Sequence, residues 1–129
     1  MENFRIVVKG FIVDEGKFLL VQRSKNEKIN SLIYTLPGGN IHFGEKPKDA
    51  VKREVKEETN LDIEIEKINT VWSFMGEDAF IIGITFLCKP ITRNIKLNVE
   101  LEYFQWIELN TKKELPKSIM KEIEAYVKG

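Results

Sequence analysis

The chain has 129 residues, 43% of them hydrophobic and 31% charged, and its 20 Lys and Arg balance 20 Asp and Glu. That composition predicts one folded domain spanning residues 1–129, large enough to bury a core without disulfides or a structural metal. A zero net charge without long like-charge runs argues against a nucleic-acid coat or an anionic membrane as partner. The opening Met-Glu-Asn-Phe-Arg lacks the basic region and long apolar stretch of a signal peptide, and the nearly apolar run Ala79 to Cys88 is too short to cross a bilayer. The lone Cys88 cannot bridge internally, so the expected compartment is the cytoplasm.

Along the chain, Phe4 to Val13 is rich in Ile, Val and Phe, Asp14-Glu15-Gly16 is a turn signal, and Lys17 to Arg23 resumes the apolar pattern, which predicts a β-hairpin. Residues 24–33 read as loop, and Tyr34-Thr35-Leu36 as a short extended piece ended by the breaker Pro37-Gly38-Gly39. Pro47 suits a first helical turn, Lys48 to Thr59 are good helix formers, and Asn60 is a left-handed cap. Asp62 to Glu66 alternates as a half-buried strand should. Val71 to Phe74 and Phe80 to Cys88 predict two more strands, the second apolar on both faces and therefore central. A further strand is expected from Leu101 to Leu109. Leu115, Ile119, Ile123 and Val127 recur every fourth residue, the mark of an amphipathic terminal helix. The expected class is α/β, a mixed sheet of about six strands with a mid-chain and a C-terminal helix.

The mid-chain helix carries an anomaly. With successive residues about 100° apart and Val51 at zero, Val55 falls near +40° and Ala50 near −100°, which marks the buried side. Lys52, Lys56, Asp49 and Arg53 fall on the opposite side. Glu54 and Glu58 fall among the apolar residues, near −60° and −20°, with Glu57 close by near −120°. Unpaired carboxylates facing the protein body are costly, so a cation is expected beside them. Arg53 can pair with Glu57 four residues on. Glu54 and Glu58 then remain, and a hard divalent ion such as Mg²⁺ or Mn²⁺ would answer them, the alternative being a solvated charged face. The loop before the helix, bracketed by Pro37-Gly38-Gly39 and Gly44, can bring a backbone carbonyl to such a metal and admit a phosphate against Gly38 and Gly39.

Taken together, Gly39, then five residues, Glu45, then seven residues, and Arg53-Glu54-Val55-Lys56-Glu57-Glu58-Thr59-Asn60-Leu61 resemble the signature box of the Nudix (MutT-like) hydrolases. The last glycine of that pattern is replaced by Asn60, which also tolerates the left-handed cap. The resemblance implies an α/β/α sandwich that cleaves the pyrophosphate bond of a nucleoside diphosphate linked to another group, with Mg²⁺ or Mn²⁺ and an activated water. It implies Glu54, Glu57 and Glu58 as metal ligands together with the Gly39 carbonyl. Glu54 or Glu57 would orient the water, and Arg53 would hold Glu57. Glu45 would tie the loop to the helix, or would simply be a carboxylate favoured by the helix dipole. Glu100 and Glu102 are candidate bases outside the box.

Arg23, and more weakly Lys25, are candidates to meet substrate phosphates. Tyr34, Trp72, Phe74 and Phe11 are candidates to stack on a base. His42 is assigned no chemistry. A nucleoside triphosphate, possibly oxidised, is the favoured small-molecule substrate, with ADP-ribose or a nucleotide sugar as alternatives. A non-catalytic nucleotide-binding regulatory domain is the reading from another class, and an RNA decapping role is disfavoured by the charge balance. The sequence leaves a homodimer possible and does not require one.

Overall fold

The computed structural model describes residues 3–23 and 34–129, so Lys25 lies outside the described residues. Strand β1 (Phe4–Asp14) turns through Glu15 and Gly16, both at positive φ, into β2 (Lys17–Arg23). That two-residue turn is the kind that matches strand twist. The expected hairpin exists but is short, because antiparallel register with β2 is confined to Val13 and Asp14. Over the rest of its length β1 runs parallel to β6 (Phe80–Pro90), from Phe4 opposite Phe80 to Ile12 opposite Cys88.

Beyond β3 (Tyr34–Thr35), the Pro-Gly-Gly segment does more than break structure: Gly38–Asn40 forms β4, antiparallel to β1. Only glycine suits the first of these positions. Gly38 has φ 155, and a Cβ there would run into the Val8 carbonyl oxygen.

Helix α1 (Pro47–Thr59) ends at Asn60, which is left-handed at φ 69 with its N–H on the Lys56 carbonyl, as the cap signal predicts. The two strands expected after it are one, β5 (Ile63–Met75), antiparallel to β6. Register shifts between Ile65 and Lys67 and between Ile68 and Thr70 leave Glu66 and Asn69 as extra residues, and these bulges break the alternation that would have revealed a single strand. Strand β7 (Leu101–Glu108) pairs with β2, and α2 (Lys117–Lys128) closes the chain.

Among the described residues, seven strands form a mixed sheet with the path β3-β2-β1-β6-β5, to which β4 attaches through β1 and β7 through β2. The helices cover opposite faces. Val51 and Val55 of α1 pack with Val8, Ile12, Phe86 and Cys88, whose thiol is pushed up to about 12 by burial. Ile119 and Ile123 of α2 pack with Phe11, Phe18 and Leu87. The result is an α/β/α sandwich with β6 central, as expected. Val127 departs from the predicted stripe and is exposed, whereas Glu122 is buried.

Candidate active site

Helix α1 buries Ala50, Val51, Val55 and Thr59, so the register read from the sequence holds and its acids lie along the flank beside β4. The side chains of Glu54 and Glu57 differ in exposure, 16% against 55%. The backbone N–H of Gly38 donates to Glu58 Oε1 at 2.8 Å. Glu54 lies directly against Gly39, where a Cβ would collide with its carboxyl group. Gly38, Gly39, Glu54 and Glu58 are thus brought together by the pairing of β4 with β1 and the seat of α1 on that strand.

Arg53 organises the acids around it. Its Nε and Nη2 grip Glu45 at 2.8 and 3.0 Å, Nη2 also donates to the Asn40 carbonyl, and Nη1 reaches Glu54 at 3.1 Å and Glu57 at 3.4 Å. The expected pairing with Glu57 is present, but Glu45 is the closer partner. Glu45 also accepts the N–H of His42 at 2.9 Å, so one carboxylate fastens the loop to the helix. These hydrogen bonds, Arg53's first, hold the Glu45 carboxyl at about 2, and they raise the guanidinium further above its usual range.

A cation near enough to act electrostatically on Glu58 and Glu54 is Lys9 of β1, which the sequence reading did not select. Its Nζ donates to Thr35 Oγ1 at 3.2 Å and to the Leu36 carbonyl at 3.3 Å. Burial holds the ammonium below the ordinary lysine value, Arg23 adds to that, and the charges of Glu58 and Glu54 oppose it. Glu58 moves the other way, since burial raises its carboxyl against the pull of the Gly38 N–H and Lys9, with Glu54 and Glu100 adding to the rise. The available signal for Lys9 was a single charge inside the otherwise apolar run from Ile6 to Val13.

The remaining candidates separate clearly. Arg23 and Glu100 are exposed, yet near enough to act electrostatically on Lys9 and Glu58 respectively. Glu102 is exposed on β7. Tyr34 is half-buried against the α2-side core. Phe11 is wholly buried and therefore cannot meet a base. Trp72 and Phe74 stack at 6.0 Å and 13° between ring planes, with Phe74 54% exposed. A cleft of about 470 Å³ lies between the start of β1 and residues 40–45 and takes in Glu45, but none of the three other acids of the box. No helix is long and apolar enough to cross a membrane among the described residues.

A family model described as the NUDIX domain matches residues 3–124, and the chain belongs to the Nudix family. It is accordingly an enzyme of the Nudix hydrolase type. The nucleoside triphosphatase NudI of Escherichia fergusonii is 28% identical over 116 residues, which cover 81% of this chain and 82% of that protein. An ADP-ribose pyrophosphatase of Methanocaldococcus jannaschii is 32% identical over 114 residues, covering 87% of this chain and 64% of that protein. The crystal structure of a MutT protein from Methanosarcina mazei Go1 superposes with a TM-score of 0.86 at 29% identity, covering 98% of this chain and 95% of that one.

Proposed function

We propose that this protein is a divalent-metal-dependent pyrophosphohydrolase of nucleoside diphosphate derivatives, with a nucleoside triphosphate as the favoured substrate. The observation that carries this reading is the seat of Glu54 and Glu58 against Gly38 and Gly39, on a helix flank where the carboxylates outnumber the cations Arg53 and Lys9 and a divalent ion would restore the balance.

The donor set fits a hard divalent ion: carboxylates of Glu54, Glu57 and Glu58 with the Gly39 carbonyl, oxygen throughout. Among the described residues no three acid, thiol or imidazole side chains are yet grouped to hold one, so loading requires rotamer changes at these glutamates. When bound, Mg²⁺ or Mn²⁺ would neutralise phosphate oxygens and favour ionisation of the attacking water. The protein's own part is positional. Arg53 holds Glu54 and Glu57 in orientation, and Glu45 holds Arg53 in turn. Glu54 or Glu57 would orient the water and take its proton, the other serving as a ligand, while Glu100, near enough to act electrostatically on Glu58, is a candidate base. Lys9 and Arg23 attract the phosphates, and the Gly38–Gly39 backbone lets them approach closely.

The likeness to NudI, named a nucleoside triphosphatase, supports the triphosphate. The 32% identity to an enzyme named an ADP-ribose pyrophosphatase supports ADP-ribose as the second reading. The test is a panel of nucleoside triphosphates, ADP-ribose and nucleotide sugars with Mg²⁺ or Mn²⁺ in ¹⁸O water, with both products read by mass spectrometry. Release of pyrophosphate and a nucleoside monophosphate supports the triphosphate reading. Exclusive cleavage of ADP-ribose would replace it, and no cleavage of any member would refute both.

A further inference from the structure

The α2 face of the sheet carries a buried carboxylate that the hydrolytic site does not use. Glu122 of α2 is only 5% exposed. Thr70 Oγ1 donates to Oε2 at 2.7 Å and lies 2.8 Å from Oε1, Thr85 Oγ1 donates to Oε2 at 2.7 Å, and Asn69 Nδ2 donates to Oε1 at 2.9 Å. Asn69 is the extra residue of a β5 bulge, which is how two successive residues of one strand reach the same carboxylate.

The Thr85 hydroxyl donates its O–H to Glu122, which leaves its oxygen to accept, and the indole Nε1–H of Trp72 donates to it at 3.0 Å. That bond lays the indole over Gly83, where a Cβ would run into the ring. Phe74 stacks beside the indole, nearly parallel to it at 6.0 Å, and Trp72 stays partly exposed.

The sheet register connects this platform to the hydrolytic site. Trp72, Gly83, Val7 and Asn40 lie in one row across four strands. The next row on the same face, two residues along, runs from Thr70 through Thr85 and Lys9 to Gly38, whose N–H is on Glu58. Gly83 is thus two strand spacings, about 10 Å, from the box strand, within the reach of a ribose and its phosphates.

We propose that Glu122 is a positioning residue for substrate: acting through Thr85, it fixes the Trp72 indole as the platform on which the nucleobase stacks. This rests on the reading that the substrate carries a nucleoside. Base stacking tolerates any flat ring, so the platform supplies affinity for nucleotides over plain polyphosphates.

The experiment measures binding of adenosine, guanosine, cytidine and uridine monophosphates by calorimetry, together with steady-state kinetics and the Trp72 indole N–H resonance. For Trp72→Leu and Thr85→Val, a roughly tenfold weaker binding of the tightest monophosphate is expected, the size typical of one lost stacking contact. KM should rise by the same factor with kcat nearly kept. Thr85→Val should also move the indole resonance, and Thr85→Ser, which keeps the hydroxyl, should restore resonance and affinity. If Thr85→Val lowers only the melting temperature and binds monophosphate like wild type, Glu122 merely fastens α2 and the proposal is overturned. It is equally overturned if wild type binds none of the four. A wild type that cleaves no substrate yet binds monophosphate through Trp72 would refute the catalytic reading and establish the platform.

Discussion

The N–H of Gly38 donates to Glu58 Oε1 at 2.8 Å, so a strand and a helix twenty residues apart in the chain meet in one hydrogen bond. The bond requires β4 to lie close along β1, and it does so because Gly38 has no side chain to strike the Val8 carbonyl. Gly38→Ala should therefore lift β4 from β1 and release Glu58. The expected loss is about 1–3 kcal/mol, the range for a backbone forced out of a glycine-only conformation, measured by urea unfolding, with activity falling alongside. Unchanged stability would mean that β4 tolerates a side chain there.

Lys9 acts on Glu58 electrostatically, its charge pulling the Glu58 carboxyl down while burial pushes it up. Replacing Lys9 with Met removes the pull and keeps the burial. The Glu58 titration midpoint in metal-free protein should then move further upward, which carboxyl ¹³C resonances would follow. A midpoint that stays in place would show that the ammonium does not act on this acid.

Glu45 titrates at about 2 in the fold against an ordinary 4.5. A folded value below the unfolded one means that the charged form stabilises the fold. The stabilisation is full above about pH 5 and is lost as pH falls toward 2. The stability gap between wild type and Glu45→Gln should accordingly be widest near neutrality and close on acidification, as read by thermal melts across that range. A gap independent of pH would contradict the Arg53 and His42 hydrogen bonds as its source.

The box helix was legible because its signals are local: Pro47 at the start, Asn60 at the end, and Val51 and Val55 marking the buried side, so that Glu54 and Glu58 could be placed by angle alone. Strand β4 was hidden because Pro37-Gly38-Gly39 carries the composition of a turn, and its pairing partner is some thirty residues earlier in the chain. The unity of β5 was hidden by bulges at Glu66 and Asn69. Lys9 and Glu122 were missed for one reason. Lys9 is one charge in an apolar run and Glu122 one of several charges on α2, and what makes each matter comes from distant segments: β4 and α1 bring Glu58 within electrostatic range of Lys9, and β5 and β6 bring Thr70 and Thr85 to Glu122. Phe11 erred in the opposite direction, since an aromatic in a strand looks the same in sequence whether it is core or surface.

The central claim is that the carboxylates of α1 perform the hydrolysis, and the most direct measurement is the turnover of the Glu54→Gln, Glu57→Gln double variant with saturating Mg²⁺ on the substrate the panel identifies. The substitutions keep size and one accepting oxygen each for Arg53, so circular dichroism should be unchanged. Turnover should fall by at least about 10²-fold, the scale of a lost acid/base or metal-ligating group. A double variant that turns over substrate at close to the wild-type rate would place the chemistry elsewhere in the molecule.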